Sequence, residues 1–368
     1  MKILLLGEYS NVHWTLAEAL RELGHEVTVV SNGDFWKNYP RDIDLSRTPG
    51  RIGGIRYMLR LLQLRRSLVG YDVVQLINPM FLELKAERIF PIYKFLRRHN
   101  QKIVLGAFGM DYYWVHENIT RKPLRYSDFN IGNELRNNRD AWKEQRDWIG
   151  TPKGRLNQFI AKNCDFIVTG LYEYDVCYRP LFPDKTTFIS FPINLHDKPD
   201  VHHMRNNAKL RLFIGINSNR SEYKGTDIML QAARYVVAKH PDKAELEIAE
   251  NVPFHRYQAM LGGSDVILDQ LYSYTPAMNA LEAMSQGVIC VGGGEPESYD
   301  LLHELELRPI VNVRPDYDDV VRQLEFLVLH PEEVSLKSKQ SIEYVRRHHD
   351  AAKVALQYEK LYRQLLNE

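Results

Sequence analysis

The most constraining feature of this chain is a repeated alternation. Short apolar runs stop at a glycine or a polar residue, and each is followed by a stretch with helical spacing. Residues 2–6 are the first run and end at Gly7, the pattern of a strand buried on both faces. Leu16, Leu20 and Leu23 follow at helical spacing, with Gly24 as the stop. Runs at 26–30, 71–77, 103–107, 166–169 and 186–189 repeat the theme. A polar stretch intervenes at 196–208, and a second series begins at 210–214. It continues at 245–249, 266–268, 288–291 and 310–313. Strands that alternate with helices argue for a parallel sheet, and a series that restarts argues for two. The expected fold is α/β, with two Rossmann-like parallel-sheet domains facing across a cleft. These domains run over 1–195 and 209–349, joined by a linker at 196–208. A last helical pattern, at 350–368, is apolar on more than one stripe and is expected to pack back on the first domain. The length of 368 residues suits two domains of about 150 residues each.

Composition narrows the partners. Lys and Arg number 48 against 47 acids, a formal charge of +1, so no global basic field points to nucleic acid. Three cysteines without a CxxC pair cannot build a disulfide framework and suit a reducing compartment. The apolar run at 3–6 is too short for a secretion signal, and no run approaches a membrane span of about 20 residues. The expected location is cytoplasmic, with peripheral contact on the inner face of the membrane as an option. That option rests on residues 51–66, which hold five arginines and no acid among Ile, Met and Leu. A basic amphipathic helix of this kind suits an anionic membrane surface; the alternative is a core-facing helix with a basic outer side.

Two stretches carry chemistry. In 265–287, Thr275 suits a helix cap, Pro276 the first turn and Gly287 the stop. The amides of Ala277, Met278 and Asn279 then form a helix N-terminus able to bind phosphate. Glu282, about one and a half turns in, suits the diol of a ribose. In 215–225, Arg220 and Lys224 are the only cations. They suit a diphosphate and the charge that develops when it leaves. The alternatives are a plain helix with an outward Glu and a solvated basic loop.

The order Gly215, Arg220, Lys224-Gly225, then Glu282-Ala-Met-Ser-Gln-Gly287, resembles the second domain of GT-B glycosyltransferases, especially the large retaining family 4. The resemblance extends to Lys2-Ile-Leu-Leu-Leu-Gly7, Asp72-Val-Val-Gln-Leu-Ile-Asn78 and Cys164-Asp-Phe-Ile-Val-Thr169, and so covers most of the chain. It implies a hexosyltransferase-like enzyme that moves a sugar from a nucleotide-diphosphate donor to a sugar or lipid-linked sugar acceptor. The course would be retaining, with no metal and no cofactor besides the donor, in surface polysaccharide or glycolipid assembly. It implies that Arg220 and Lys224 bind the diphosphate and Glu282 the ribose. Asp111, closing Gly106-Ala-Phe-Gly-Met-Asp111, would orient or deprotonate the acceptor hydroxyl. Asn11 and His13 are acceptor candidates, and Glu297 after Gly292-Gly-Gly294 is a donor-sugar candidate. Tyr274 stands where the family has a Glu near the donor sugar, and Ala277 stands at a glycine position. This departure keeps two alternatives open: a nucleotide-binding protein without turnover, and a sugar-nucleotide epimerase on the same fold. Residues 116–155 form a long polar insertion, readable as an acceptor-binding flap or a helical excursion. Asp42-Ile-Asp44 and Asp316-Tyr-Asp318 match a metal motif, but neither follows a nucleotide-binding strand, and no metal site is expected.

Overall fold

The computed structural model describes residues 1–195, 209–217 and 220–367. The expected linker at 196–208 lies outside these residues. Fourteen strands are present among them. The first nine are β1 (Lys2–Leu6), β2 (Glu26–Ser31), β3 (Ile43–Asp44), β4 (Val73–Leu76), β5 (Lys102–Ala107), β6 (Asn130–Ile131), β7 (Glu134–Leu135), β8 (Phe166–Thr169) and β9 (Thr186–Phe188). The others are β10 (Leu210–Ile216), β11 (Ala244–Glu250), β12 (Val266–Leu268), β13 (Ile289–Gly292) and β14 (Val311–Asn312).

The chain divides into two compact units. The first comprises Met1–Arg121, Glu144–Pro192 and Ala351–Glu368. Its seven-stranded sheet has the order β3-β2-β1-β4-β5-β8-β9, parallel throughout. The central strands are apolar on both faces, as covering helices require: Ile3, Leu4, Leu5, Val73, Val74 and Leu76 are all buried. Gly7 ends β1 at φ +84°, and a Cβ there would stand 2.3 Å from Cγ2 of Ile77. Only glycine lets the chain leave β1 against β4 in this way.

The second unit comprises Lys122–Lys143 and Ile193–Asp350. Its five-stranded sheet has the order β11-β10-β12-β13-β14, again parallel. Leu212, Ile214, Val266, Leu268, Ile289 and Val291 form the centre of its core. Each unit is thus a Rossmann-like sheet. In both, the strand order reverses beside the first strand, between β1 and β4 and between β10 and β12. Ligands of such sheets bind outside the carboxyl ends of the strands flanking this point.

One domain boundary differs from expectation. Residues 122–143 do not belong to an unbroken first domain at 1–195; they pack within the second unit. The reason is a set of ionic and aromatic contacts described below. The helix Ala351–Leu366 packs on the helix Val12–Glu22 in the first unit. There the Tyr362 hydroxyl donates to Oε1 of Gln75 at 2.8 Å.

Candidate functional site

In the second unit the loops after β10 and β12 flank the reversal point. The loop after β10 carries Arg220 and the one-turn helix Ser221–Lys224. Gly225 ends that turn at φ +75°, and a Cβ there would stand 2.6 Å from Cβ of Leu271. The Leu271 N–H donates to the Lys224 carbonyl at 3.0 Å, tying the two loops together. Asp269, directly after β12, accepts from the Ala277 N–H at 2.9 Å. Burial raises the Asp269 carboxyl above its usual range, while the Ala277 N–H and the Lys224 charge oppose that rise. Lys224 and the tip of the next helix therefore both act on one carboxylate. The charge of Lys224 and a helix N-terminus thus converge on this corner.

That helix spans Met278–Ser285, with Ala277 as its N-cap. The expected cap at Thr275 is thereby corrected. The Thr275 N–H is held by Oγ of Ser273 at 3.3 Å, and the helix begins three residues later. Its first-turn donors are the amides of Met278, Asn279 and Ala280. Gly287, at φ +89°, follows its end, as anticipated. Glu282 and Asn279 line a small recess of about 50 Å³ together with Tyr257. Burial raises the Tyr257 hydroxyl; Asp269 and Glu282 add to the rise, and Asn279 opposes it by a hydrogen bond. Ala277, Met278, Asn279, Glu282 and Lys224 are thus gathered around the reversal point. Arg220 lies in the same loop, exposed, with its guanidinium 5.1 Å from the Tyr223 ring centre.

Tyr274 does not stand open to a ligand, which corrects its placement as a donor-sugar contact, whereas Glu297 stays partly exposed while paired with Arg125. Tyr274 is buried, and its hydroxyl accepts from the Arg125 N–H at 2.8 Å. The Arg125 guanidinium donates to Glu295 at 2.5 Å and also pairs with Glu297. Its hydrogen bond to Glu297 holds that carboxyl below the ordinary range. The Tyr126 hydroxyl donates to Glu295. Further along, Arg136 lies 3.3 Å from the Tyr272 ring centre. It donates to the carbonyls of Tyr223 at 2.9 Å and Glu222 at 2.8 Å. The Tyr223 hydroxyl donates to Asp128 at 2.7 Å. Within the 116–155 insertion, residues 122–143 brace the loop carrying Arg220 and Lys224, while Arg139–Trp148 is helical and a further helix starts at Pro152, in keeping with a helical excursion. Only the polarity of the insertion hinted at this; no local signal paired it with residues 170 positions away.

The first unit holds a recess of about 680 Å³ at the carboxyl ends of β1, β2 and β4. Glu8, Tyr9, Asn32, Tyr57, Phe81 and Lys153 are among its lining residues. Glu8 follows β1 and accepts from the N–H groups of His13 at 3.1 Å and Trp14 at 2.9 Å. Burial pushes its carboxyl up to about 8. The acceptor candidates fare differently. His13 is fully buried. Its Nδ1–H donates to the Gly7 carbonyl at 2.8 Å, and Nε2 lies 3.2 Å from Nε2 of Gln75, from which it accepts. Burial lowers its pKa to about 3, so the ring is neutral. Asn11 is in the left-handed region at φ 68° and begins the helix Val12–Glu22. Neither residue lines the recess. Asp111 is also fully buried. It caps the helix Tyr112–Ile119 by accepting from the Trp114 N–H at 2.9 Å, and it accepts the Tyr178 hydroxyl at 2.5 Å. Burial raises its carboxyl to about 7. These placements make His13 and Asp111 internal supports, not acceptor contacts. Glu8, in the same loop as Asn11 and His13, is also buried, and it is the one of the three that lines the recess.

No group of metal-ligating side chains is present among the described residues. Asp316 caps the helix Tyr317–Leu329, and Asp42 accepts from Arg21 and the Val29 N–H.

No family model matches the chain, and no curated protein matches its sequence. Solved structures do match along its length. Sucrose-phosphate synthase from Thermosynechococcus elongatus has a TM-score of 0.64 at 14% identity, over 100% of both chains. HepE from Anabaena, solved with UDP and glucose, has a TM-score of 0.59 at 12% identity, over 98% of this chain and 99% of its own. WaaG, a glycosyltransferase involved in lipopolysaccharide biosynthesis, has a TM-score of 0.52 at 10% identity, over 99% of both. A Listeria monocytogenes protein described as a UDP-N-acetylglucosamine 2-epimerase also shares the fold, with a TM-score of 0.55 at 12% identity over 96% and 93%. The fold is therefore that of GT-B proteins. At such identities the likeness concerns architecture, and the reaction must be argued from this chain's own residues.

Proposed function

We propose that this protein is a glycosyltransferase of the EC 2.4 kind, using a nucleotide-diphosphate sugar. Lys224 and Arg220 bind the diphosphate with the amides of Met278 and Asn279, and Glu282 binds the ribose. The observation that carries this reading is the corner at Asp269, where the charge of Lys224 and a helix N-terminus act on one carboxylate. Cations and oriented amides at one point stabilise the charge that develops on a leaving diphosphate. In the reaction the bond between the sugar's anomeric carbon and the diphosphate oxygen breaks, and the acceptor oxygen bonds to that carbon. With retention of configuration, the acceptor's proton passes to the departing diphosphate on the same face. The residues named supply orientation and charge. The acceptor is assigned to the recess beside Glu8, and the role to polysaccharide or glycolipid assembly at the cytoplasmic face. HepE, crystallised with UDP and glucose, supports the donor class.

A second reading is nucleotide binding without turnover. It is favoured by Tyr274, buried under Arg125 where the resemblance implies a sugar-contacting Glu. A panel of UDP-, GDP- and dTDP-sugars separates these readings. Transfer or slow donor hydrolysis supports the enzyme, binding alone supports the second reading, and interconversion of donors without acceptor supports an epimerase. The diphosphate assignment has its own test. Lys224→Ala is expected to weaken binding of the nucleoside diphosphate at least tenfold, with little change for the nucleoside. Glu282→Gln is expected to weaken both. Equal losses from Lys224→Ala would remove the diphosphate from this corner.

A further inference from the structure

The helix Gly50–Leu64 has two apolar faces, and only one is used. Gly53, Tyr57, Leu61 and Leu64 are buried. On the other side Ile52, Ile55, Leu59 and Leu62 are 68%, 61%, 55% and 60% exposed. Their spacing of three, four and three residues places them on one stripe. Arg51, Arg56 and Arg60 stand exposed among them. Between residues 45 and 71 there are six arginines and no acid. The whole chain carries +1, so without these six it would carry −5; the positive charge is concentrated here against the balance of the rest.

The surroundings continue the pattern. Beside the helix lies a groove of about 630 Å³ with Ile55 and Leu59 on one side. Its cations are Arg47, Arg51, Lys85 and Arg88, and no acid lines it. Arg47, Leu84 and Lys85 also line the recess that holds Glu8. Phe35, 63% exposed, lines that same recess, and its neighbour Trp36 is 65% exposed. Exposed aliphatic residues and arginines on one helix face match the boundary of a bilayer, where acyl chains meet anionic headgroups. A two-fold contact with a second copy would press arginine against arginine.

We propose that the outer face of the helix Gly50–Leu64 seats on an anionic lipid bilayer. The helix lies in the surface plane, with Ile52, Ile55, Leu59 and Leu62 among the acyl chains. The groove cations meet headgroup phosphates. No helix among the described residues is long and apolar enough to cross a membrane, and this contact needs none. The inference goes beyond the transferase reading and stands apart from it, because its test reads binding and not turnover.

The full chain is floated with vesicles of phosphatidylcholine alone and with vesicles containing 30% phosphatidylglycerol. Binding is expected to the second only, and to fall with added salt. Arg56→Glu with Arg60→Glu is expected to weaken it at least 25-fold, at about fivefold for each arginine lost from the surface. Ile55→Ser with Leu59→Ser is expected to weaken it at least tenfold. These four positions are exposed, and unchanged thermal unfolding verifies that the fold is kept. Any of four results overturns the proposal. These are no flotation with anionic vesicles, equal flotation with neutral ones, flotation unchanged by the Ile55 and Leu59 pair, and a dimer in solution that this pair abolishes.

Discussion

Arg136 offers a direct measure of how far residues 122–143 brace the loop that carries Lys224. In the substitution Arg136→Ala, three interactions with the loops of the site go at once, besides two longer hydrogen bonds within the insertion, to the carbonyls of Ser127 at 3.2 Å and Asp128 at 3.3 Å. Two are charge-assisted hydrogen bonds, to the Tyr223 carbonyl at 2.9 Å and the Glu222 carbonyl at 2.8 Å. The third is the guanidinium stacked 3.3 Å from the Tyr272 ring centre. Hydrogen bonds to a charged group contribute about 1.5 kcal/mol each at the low end, the suitable choice for a partly exposed site. The cation–ring contact adds about 0.5–1 kcal/mol. Some of this returns as water binds the released carbonyls, leaving about 3 kcal/mol on the closed form of the turn. That is about two orders of magnitude in its opening equilibrium. Hydrogen exchange read by mass spectrometry on peptides spanning residues 220–226 reports this opening. Amides there are expected to exchange roughly 100-fold faster, with peptides from β1, β4 and β5 unchanged. Arg136→Lys keeps the charge without the planar fork and is expected to recover only part of the protection. Unchanged exchange at 220–226 in Arg136→Ala would refute the bracing role, whatever the substrate.

Two further outcomes follow from the geometry. Glu8, with its carboxyl raised by burial to about 8, is protonated in the folded chain at neutral pH and ionised in the unfolded chain. Its contribution is therefore fully present below about pH 4.5 and is lost as pH rises through 8. Denaturant titrations should show stability falling between pH 5 and 8, with a shallower slope in Glu8→Gln. Asp111, raised to about 7, acts in the same direction and accounts for part of the remaining slope. Gly225→Ala forces a side chain into the left-handed region and within 2.6 Å of Leu271. It is expected to destabilise the second unit by about 2–4 kcal/mol, measured by thermal unfolding, and to abolish nucleoside-diphosphate binding.

The strands were legible because a strand covered on both faces must be apolar at every position. Residues 166–169 and 266–268 have the expected bounds. β3 escaped because it is Ile43 and Asp44 alone, paired with the end of β2, and two residues make no run. The gathering of Lys224, Asn279 and Glu282 was legible through turn chemistry and spacing. The start of their helix was not, because its leading N–H is taken by Asp269, eight residues upstream and after another strand end. A local cap pattern cannot include such a partner. His13 and Asp111 show the same limit from another side. A polar residue after a strand reads alike whether it faces a ligand or satisfies the interior, and only the neighbours Gly7, Gln75, Trp114 and Tyr178 decide.

The path of the backbone has a consequence for biosynthesis. The chain passes from one unit to the other after residues 121, 143, 192 and 350. On the ribosome, Arg125 and Arg136 emerge long before Tyr223, Tyr272 and Glu295, and the β1 sheet waits for the helix Ala351–Leu366. The first unit cannot mature ahead of the second, because its last helix follows the second unit's final residue, so a nascent chain stalled near residue 200 should remain a client of holding chaperones.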